Sequence, residues 1–393
     1  MDSYRMTRAE VDLDALRHNL GEFRRALGPD IRLMAVVKAN AYGHGAVKVA
    51  EEALDFGVTY LAVAFLDEAL ELRRHGIGAP LLVLGYTPPE AADVAREHDV
   101  TLTVFDRSML RAAAESYAAS AEAGPLRVHV KIDTGMGRIG IPDEREACEF
   151  IEEALDTKGV LVEGLFTHYA AADEADKSYT RSQHDKFERV VAHFRGKGVT
   201  FPYLHAGNSA TGIDTPEWTY NMLRLGIGMY GLYPSQEVNR ERVSLRPVMS
   251  LKTGVVMVKE LPPGSGISYG VNYVTRGRER IATLPIGYAD GYTRLLNGKA
   301  DVLVHGNRAP VVGNICMDQC MVRLDGAAAD EVSVGDEVVL FGRQGAESIT
   351  ADELAEKLGT INYEITCMLS HRVPRVYVKD GKTVLFDNPL VQK

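Results

Sequence analysis

The sequence predicts an α/β fold, an N-terminal TIM (β/α)8 barrel followed by a mostly β C-terminal domain. Short apolar runs alternate with amphipathic stretches from Arg32 to about Gly231, and runs broken by Gly, Asp and Pro dominate after Arg246. The length of 393 residues suits two or three domains of about 150 residues. We therefore predict a barrel over residues 1–240 and a β domain over residues 241–393. Residues 1–11 precede the first barrel strand and fit either domain.

Eight apolar runs of strand length define the predicted barrel. In chain order they are LMAVVKAN, YLAVAF, PLLVLG, TLTVF, LRVHVKID, LVEGLFTHY, PYLHAGN and MLRLGIGMYG. Amphipathic stretches such as HGAVKVAEEALDFG and PDEREACEFIEEAL lie between most of them. Near-continuous apolar strands that alternate with helices indicate a parallel sheet covered by helices. About eight such units in roughly 200 residues favour a TIM barrel over an open doubly wound sheet.

The second part of the chain has the pattern of a mostly β domain. Its apolar runs are MSLKTGVVMVKEL, RIATLPIGYADGY, ADVLVHG, APVVGNICMDQCMVRL and EVVLFG, with little helical periodicity between them. Short strands of this kind, interrupted by turn residues, are typical of all-β domains. One helix is predicted inside it, because Thr350 and Glu353 form a capping-box pattern ahead of LAEKL.

Composition excludes several classes of protein. The chain has 44 basic and 54 acidic residues, a net charge of −10, and an acidic surface repels nucleic-acid phosphates. No apolar run reaches the ~18 residues that span a bilayer, and the first residues are too acidic for a signal peptide. Four cysteines are too few for a disulfide framework, and Cys316 and Cys320 lack the paired spacing of a zinc site. We expect a cytoplasmic protein that binds no nucleic acid, membrane or metal.

Polar residues follow the predicted barrel strands, where TIM-barrel enzymes place their active sites. They are Lys38, Tyr42, Arg138, His168, Asn208, Ser209 and Arg224. The apolar run before Lys38 carries this lysine to the barrel mouth beside small residues, and a desolvated lysine near other cations can form a Schiff base. The loops HAGNSATG and RLGIGMYG offer backbone N–H groups to an anion. A lysine with a phosphate site predicts pyridoxal 5'-phosphate as the cofactor.

Two glycine motifs do not indicate a dinucleotide site. GMGRIG (Gly135–Gly140) and GIGMYG (Gly226–Gly231) both match G-x-G-x-x-G, which has to open a helix after a strand. Pro142 closely follows the first motif and LYPS follows the second, so neither has the required context. We predict no Rossmann fold.

Seven motifs together resemble the alanine racemase family. They are AVVKANAYGHG, KIDTGMGRIG, HAGNSA, RLGIGMYG, SYG (Ser268–Gly270), GYADGY (Gly287–Tyr292) and CMDQ (Cys316–Gln319). The resemblance covers essentially the whole chain. It implies a fold-type III pyridoxal-phosphate enzyme that interconverts L-alanine and D-alanine with two bases and supplies D-alanine for peptidoglycan. It also implies a head-to-tail homodimer with shared active sites.

The resemblance also implies roles for individual residues. Lys38 resembles the lysine that carries the cofactor, and Tyr269 the second base, delivered with Met317 and Asp318 from the second subunit. Lys131 matches a lysine that some members carry as a carbamate. The candidate cofactor-binding residues, with Asn208 added from the strand ends, are Lys38, Tyr42, Arg138, His168, Asn208, Ser209, Arg224, Gly226, Ile227 and Tyr363. The candidate substrate-binding residues are Arg138, Met317 and Asp318.

Arg224 resembles the partner of the pyridine nitrogen of the cofactor. Arginine stays protonated and only donates hydrogen bonds, so it leaves that nitrogen largely without a proton. The ring is then a weaker electron sink, which favours return of the proton to the α-carbon over other outcomes. One position departs from the family pattern, since Asn314 stands where many members have an arginine near the substrate entrance.

Three alternatives remain open from the sequence. One is a broad-specificity amino-acid racemase or a decarboxylase on the same fold, although Arg224 weighs against decarboxylation. Another is a pyridoxal-phosphate carrier without catalysis, which would not need the 150 or so residues that follow the barrel. The last is a binding protein with the same two domains.

Overall fold

The computed structural model describes residues 3–120, 122, 124–325 and 330–391. The chain forms two compact units. The barrel unit comprises Leu16–Ala41 and Ala46–Arg246, and the β unit comprises the residues up to Ala15, Tyr42–Gly45 and the chain from Pro247 onward. The first strand, β1 (Arg8–Asp12), therefore lies in the β unit. The domain limit at residue 240 stays a prediction from the sequence.

Eight parallel strands form the sheet of the barrel unit. They are β2 (Arg32–Val36), β3 (Tyr60–Val63), β4 (Leu81–Val83), β5 (Thr101–Val104), β6 (Leu126–Lys131), β7 (Val160–Phe166), β8 (Tyr203–His205) and β9 (Met222–Leu225). Their order in the sheet is β8-β7-β6-β5-β4-β3-β2-β9, and the strands pair in parallel along this order. Each of the eight apolar runs coincides with one of these strands to within one residue at its start, so the predicted barrel is confirmed.

Between β8 and β9 the sheet closes through a few backbone contacts and the side chain of Asn221. A single bridge joins His205 to Tyr220 just ahead of β9. Asn221 Oδ1 accepts the N–H of Leu204 at 2.9 Å, and its Nδ2 donates to the carbonyl of Pro202 at 3.0 Å. The side-chain amide of Asn221 thus supplies hydrogen bonds at the seam where the backbone ladder stops.

One helix precedes these strands, and further helical segments follow most of them. They are α1 (Leu13–Leu27), α2 (Lys38–Tyr42, with left-handed backbone at Ala39, Asn40 and Ala41), α3 (Ala46–Phe56), α4 (Leu66–Arg74), α5 (Ala92–Glu97), α6 (Arg107–Ala119), α7 (Glu144–Asp156), α8 (Ser178–Gly196) and α9 (Ser209–Asp214). Helix α7 buries Ala147, Phe150, Ile151 and Ala154, a spacing that places them on one helical face. The Asp143 side chain caps it by accepting the N–H of Glu146 at 2.9 Å. The two amphipathic stretches quoted above correspond to α3 and α7.

The β unit is built mainly on one eleven-stranded sheet. Its further strands are β10 (Met249–Gly254), β11 (Met257–Leu261), β12 (Gly266–Ile267), β13 (Tyr273–Val274), β14 (Glu279–Leu284), β15 (Asp301–Val304), β16 (Asn307–Val312), β17 (Cys320–Leu324), β18 (Glu337–Gln344), β19 (Glu347–Ile349), β20 (Arg375–Lys379) and β21 (Lys382–Asp387). The main path is β11-β14-β17-β16-β15-β18-β10-β1-β20-β21, with β19 on β18 and a separate β12-β13 pair. Strand β1 is antiparallel to β10 and parallel to β20.

Two helices complete the β unit, α10 (Ala351–Leu358) and α11 (Asn362–Cys367). Thr350 caps α10 as predicted, because its Oγ1 accepts the N–H of Glu353 at 3.0 Å. The Glu353 carboxylate lies 2.8 Å from Arg308. Across the described part of the chain, every helix is too short or too polar to cross a membrane.

Candidate active site

Lys38 stands where β2 gives way to a left-handed turn. Ala39, Asn40, Ala41 and Tyr42 all have φ between 52° and 53°. Left-handed backbone costs residues with a Cβ roughly 1–2 kcal/mol each, so four in succession store strain that other contacts have to offset. Strain of this kind concentrates at functional sites. The turn ends the strand abruptly and leaves Lys38 half-buried at its C-terminal end.

Glu68 supports this turn, a role that sequence reasoning missed. Its Oε1 accepts the N–H of Ala39 at 2.6 Å, and its Oε2 accepts the N–H of Ala64 at 2.7 Å. One carboxylate therefore joins the residue after Lys38 to the loop that follows β3. Asn40 adds a second tie, because its Oδ1 accepts the N–H of Ala46 at 2.8 Å.

Arg224 is buried in β9 among neutral acceptors. Its Nη1 lies 2.9 Å from His205 Nδ1, and its Nη2 lies 2.9 Å from His168 Nδ1 and also donates to the carbonyl of Ala206. Burial is the main cause that lowers the pKa of Arg224 to about 9, with a further contribution from Arg138. The guanidinium therefore remains protonated at neutral pH.

The hydrogen bonds to Arg224 determine the protonation of the histidines. Arginine only donates, so Nδ1 of His168 and of His205 must accept, and each ring then carries its proton on Nε2. Burial and the charge of Arg224 lower the pKa of His168, with smaller contributions from Lys131, Arg138 and Lys38. Burial and the positive charges of the site therefore both favour the neutral form of the His168 imidazole.

A second buried histidine extends this arrangement. His205 Nε2 lies 2.8 Å from His129 Nδ1, so His205 donates and His129 also carries its proton on Nε2. Burial lowers the pKa of His129 to about 3, and it also lowers the pKa of His205. The ring of Phe166 stacks on His205 with centroids 4.7 Å apart. Sequence reasoning missed these residues, although His205 opens the quoted motif HAGNSA.

Lys131 is a lysine buried in the barrel unit. Its side chain is 3% exposed, and Nζ has no hydrogen-bond partner among the described residues. Nζ lies 4.7 Å from the ring centroid of Phe166. Burial, then Arg224 and Arg138, lower the pKa of Lys131 well below its ordinary value. The lowered pKa favours the neutral amine, which is the nucleophilic form of lysine.

The loops after β8 and β9 meet at Ser209. Its Oγ accepts the N–H of Gly226 at 3.2 Å and that of Gly228 at 3.1 Å, which leaves the hydroxyl hydrogen to donate. A Cβ on Gly228 would lie 2.6 Å from the ring of Phe23, so the close approach requires glycine there. Asn208 caps α9 by accepting the N–H of Thr211 at 3.1 Å. Ile227, between the two glycines, is buried.

Arg138 lies exposed on the loop after β6. Asp133 orders this loop, because its Oδ1 accepts the N–H groups of Gly135, Met136 and Gly137 at 2.8–3.1 Å. The predicted residues of the barrel unit are thus gathered at the C-terminal ends of its strands. Within the described residues, no group of three or more His, Cys, Asp and Glu side chains is arranged to hold a metal ion.

The remaining predicted residues belong to the β unit. Tyr42 is buried, and its ring centroid lies 6.2 Å from that of Tyr363 in α11. Tyr269 is 75% exposed and Met317 is 52% exposed. Asp318 is also exposed and accepts a hydrogen bond from Arg372 at 2.5 Å.

The two parts of the chain match the two domains of one protein family. Residues 11–234 match the family profile described as alanine racemase, N-terminal domain, and residues 248–377 match alanine racemase, C-terminal domain. Alanine racemase 2 of Caldanaerobacter subterraneus subsp. tengcongensis is 47% identical over 381 residues, 97% of each chain.

Solved structures agree with these matches. The alanine racemase of Bacillus anthracis with bound L-Ala-P has a TM-score of 0.93 and 45% identity, and the match covers 99% of each chain. A histidine racemase of Leuconostoc mesenteroides has a TM-score of 0.87 and 31% identity, covering 96% of this chain and 99% of that one. By its sequence and its fold, the chain belongs to the alanine racemase family.

Proposed function

We propose that the protein is a pyridoxal-phosphate-dependent isomerase that interconverts L-alanine and D-alanine. Lys38 and Tyr269 act as the two bases, and the D-alanine serves peptidoglycan synthesis. The observation that carries the proposal is the buried guanidinium of Arg224, held by two neutral histidines. That arrangement suits a racemase, because a guanidinium only donates hydrogen bonds and so leaves the pyridine nitrogen of the cofactor largely without a proton.

The residues of the barrel unit fit this cofactor. The hydrogen bonds of Arg224 use Nη1 and Nη2, and Nε makes none with the described residues, so Nε is the nitrogen left to donate to a pyridine nitrogen. The Ser209 hydroxyl, together with the loop at Gly226 and Ile227, suits the phosphate. When bound, pyridoxal phosphate makes the α-proton of an attached amino acid acidic.

Arg224 controls the fate of that proton. Its guanidinium donates a hydrogen bond and gives up no proton, because even the lowered pKa of about 9 keeps it charged at neutral pH. Electron withdrawal stays moderate, so the α-carbon takes a proton back. A decarboxylase of the same fold would be expected to place an acid there. His168 and His205 hold the guanidinium in place.

Two bases on opposite faces of the α-carbon invert its configuration. Lys38 Nζ exchanges the proton on one face, and the Tyr269 hydroxyl of the partner subunit exchanges it on the other. The exposure of Tyr269 and Met317 in the single chain supports this assignment. Val271 and Tyr288 are exposed as well, so these residues form a group of exposed apolar side chains. A group of exposed apolar side chains marks an interaction site. We infer a homodimer with shared active sites.

Arg138 binds the substrate carboxylate, with Met317 and Asp318 of the partner subunit completing that pocket. A planar guanidinium pairs with a carboxylate through two hydrogen bonds. We propose that Lys131 carries a carbamate that positions Arg138. The neutral Nζ attacks carbon dioxide, an N–C bond forms and the released proton goes to solvent. The buried and unpaired state of Nζ supports this step, because a carbamate would place a negative charge between Arg138 and Arg224.

A wider substrate range is the second candidate. A histidine racemase shares the fold at 31% identity, so this scaffold accepts more than one side chain. The non-catalytic carrier is disfavoured, because it has no use for the β unit. Four free cysteines fit the expected cytoplasmic location.

One experiment tests the proposed function. The purified protein, loaded with pyridoxal phosphate, is incubated with L-alanine in D2O while optical rotation and deuterium at the α-carbon are followed. Loss of rotation with deuterium uptake, and with no carbon dioxide or pyruvate, is the expected result. Equal rates with L-histidine would favour the wider substrate range. Carbon dioxide release would contradict the racemase assignment.

A further inference from the structure

We infer that Asn314 is a positioning residue that holds the Tyr269 loop in its reactive conformation. Asn314 lies between β16 and β17, is 5% exposed, and touches neither cofactor nor substrate in this proposal. The inference rests on the proposed function, because it concerns the residue assigned there as the second base.

Asn314 is the centre of a hydrogen-bond network within the β unit. Its Nδ2 donates to the carbonyl of Tyr269 at 2.5 Å. Its Oδ1 accepts from Asn272 Nδ2 at 3.2 Å and from Asn297 Nδ2 at 2.8 Å. One side-chain amide therefore joins the backbone of Tyr269 to residues that follow it in the loop and to a separate segment.

The partners determine the orientation of this amide. Asn297 Oδ1 accepts the N–H of Ile315 at 2.6 Å, so Asn297 must present its NH2 group to Asn314. Asn314 then faces Asn297 with its oxygen, and its own NH2 points to the Tyr269 carbonyl, which can only accept. If the Asn314 amide were reversed, its NH2 group would face the NH2 groups of Asn272 and Asn297, and its oxygen would face the carbonyl oxygen of Tyr269.

The loop that carries Tyr269 needs such support. Ser268, Gly270 and Val271 have φ values of 66°, 73° and 49°, and the positive value is unfavourable for serine and above all for the β-branched valine. A backbone in sparsely populated regions persists only where its surroundings hold it. Tyr269 itself is exposed, so in the single chain its position depends on its backbone.

The backbone of the Asn314 segment makes a second contact with this loop. Ser268 Oγ donates to the Asn314 carbonyl at 2.6 Å. Gly313 precedes it with φ 70°, and a Cβ there would lie 2.8 Å from the carbonyl of Ile267. The two segments are therefore packed as closely as glycine allows. The backbone of Asn314 is held in place by this packing, so its side chain meets the Tyr269 carbonyl from a fixed position.

The chemistry of asparagine explains why this residue suits the position. A carboxamide donates and accepts at once, whereas arginine only donates and could not accept from Asn272 and Asn297. Asparagine here directs its side chain into the loop network.

Two variants and a control test the inference in the cofactor-loaded protein. Asn314→Asp keeps the shape but removes the donor to Tyr269, and Asn272→Ala removes one of the donors to Asn314. Asn307→Asp is the matched control, because Asn307 is exposed in the same unit and its side chain donates only to the carbonyl of His305. Thermal unfolding shows which variants remain folded.

The first measurement is amide hydrogen exchange over residues 266–274. Loss of one supporting hydrogen bond should speed exchange there by about tenfold in Asn314→Asp and less in Asn272→Ala, with no change in Asn307→Asp. Unchanged exchange in a folded Asn314→Asp would overturn the inference. If Asn314→Asp does not fold, unchanged exchange in Asn272→Ala has the same consequence.

The second measurement separates positioning from general stability. The exchange of the α-proton is measured from each alanine enantiomer, and Tyr269→Phe identifies the direction in which Tyr269 acts. Asn314→Asp should slow α-proton exchange by about tenfold from the enantiomer whose proton Tyr269 removes, and should leave exchange from the other enantiomer and both KM values within about twofold. Equal losses of exchange from both enantiomers would contradict the inference. No directional effect in Tyr269→Phe would instead refute the proposed second base, and hydrogen exchange would still decide whether Asn314 supports the loop.

Discussion

The buried histidine pair predicts a specific dependence of stability on pH. His129 and His205 are fully buried, neutral and hydrogen-bonded to each other, and the pKa of His129 is lowered to about 3. In the unfolded chain a histidine titrates near a pKa of about 6.5. Below that pH the unfolded state binds more protons than the folded state, so the stability that neutral His129 contributes above pH 6.5 is lost as the pH falls from 6.5 toward 3.

The expected size follows from proton linkage. At pH 5.5 an unfolded histidine is about ten parts protonated to one part neutral, while folded His129 stays neutral. The free energy of unfolding therefore falls by RT ln(1 + 10), about 1.4 kcal/mol, between high pH and pH 5.5 for this residue. Lys131 acts in the same direction, because its lowered pKa also makes the folded state bind fewer protons. The contribution of His129 has to be isolated by a variant.

His129→Gln isolates it, since glutamine can accept the hydrogen bond from His205 but does not titrate. Urea unfolding of wild type and variant at pH 7.5 and pH 5.5 gives four free energies at one protein concentration. The decrease between the two pH values should be about 1.4 kcal/mol smaller in the variant. His75→Gln, at the exposed residue that follows α4, is the control and should keep the wild-type decrease. An equal decrease in wild type and His129→Gln would refute the neutral buried pair.

Further predictions concern the site and its supporting backbone. Borohydride treatment of the loaded protein should attach the cofactor to a peptide containing Lys38, and recovery on another lysine would refute that assignment. Arg138→Lys should lower kcat/KM by about tenfold or more, because a bidentate charged pair is lost, and a change under threefold would contradict its role. Mixing inactive Lys38→Ala and Tyr269→Ala subunits should restore activity through one intact site per hybrid dimer, and its absence after verified subunit exchange would exclude shared sites. Gly43→Ala should lower the free energy of unfolding by about 2 kcal/mol or more in urea titrations, because its Cβ would lie 2.1 Å from the carbonyl of Thr366.

The sequence pattern did not predict some of the short strands. Strand β1 has the sequence RAEVD and lies 366 residues before its parallel partner, since Ala9 pairs with Arg375 in β20. Nothing in such a short mixed segment indicates a partner so distant in the chain. Strands β12, β13, β19, β20 and β21 were not predicted either, because two to six residues carry too little periodicity.

The contacts around Arg224 were likewise only partly predicted from the sequence. Lys131 and Arg224 were recognised through motifs and His168 through its place after a predicted strand, but the link from Arg224 to His205 and on to His129 was not recognised. Alternate residues of a barrel strand point to opposite faces, and only closure of the sheet decides which inward side chains touch. The buried, unpaired state of Lys131 also became visible only with its neighbours in place.

The sequence by itself determined the barrel, the β domain and the family, because apolar runs, helical periodicity and local motifs are properties of neighbouring residues. Tertiary structure decided what depends on contacts between distant ones. The left-handed turn after Lys38, its support by Glu68 and the network of Asn314 around Tyr269 belong to this group. Their energies arise from hydrogen bonds and close approach between segments far apart in the chain, and no local pattern encodes these.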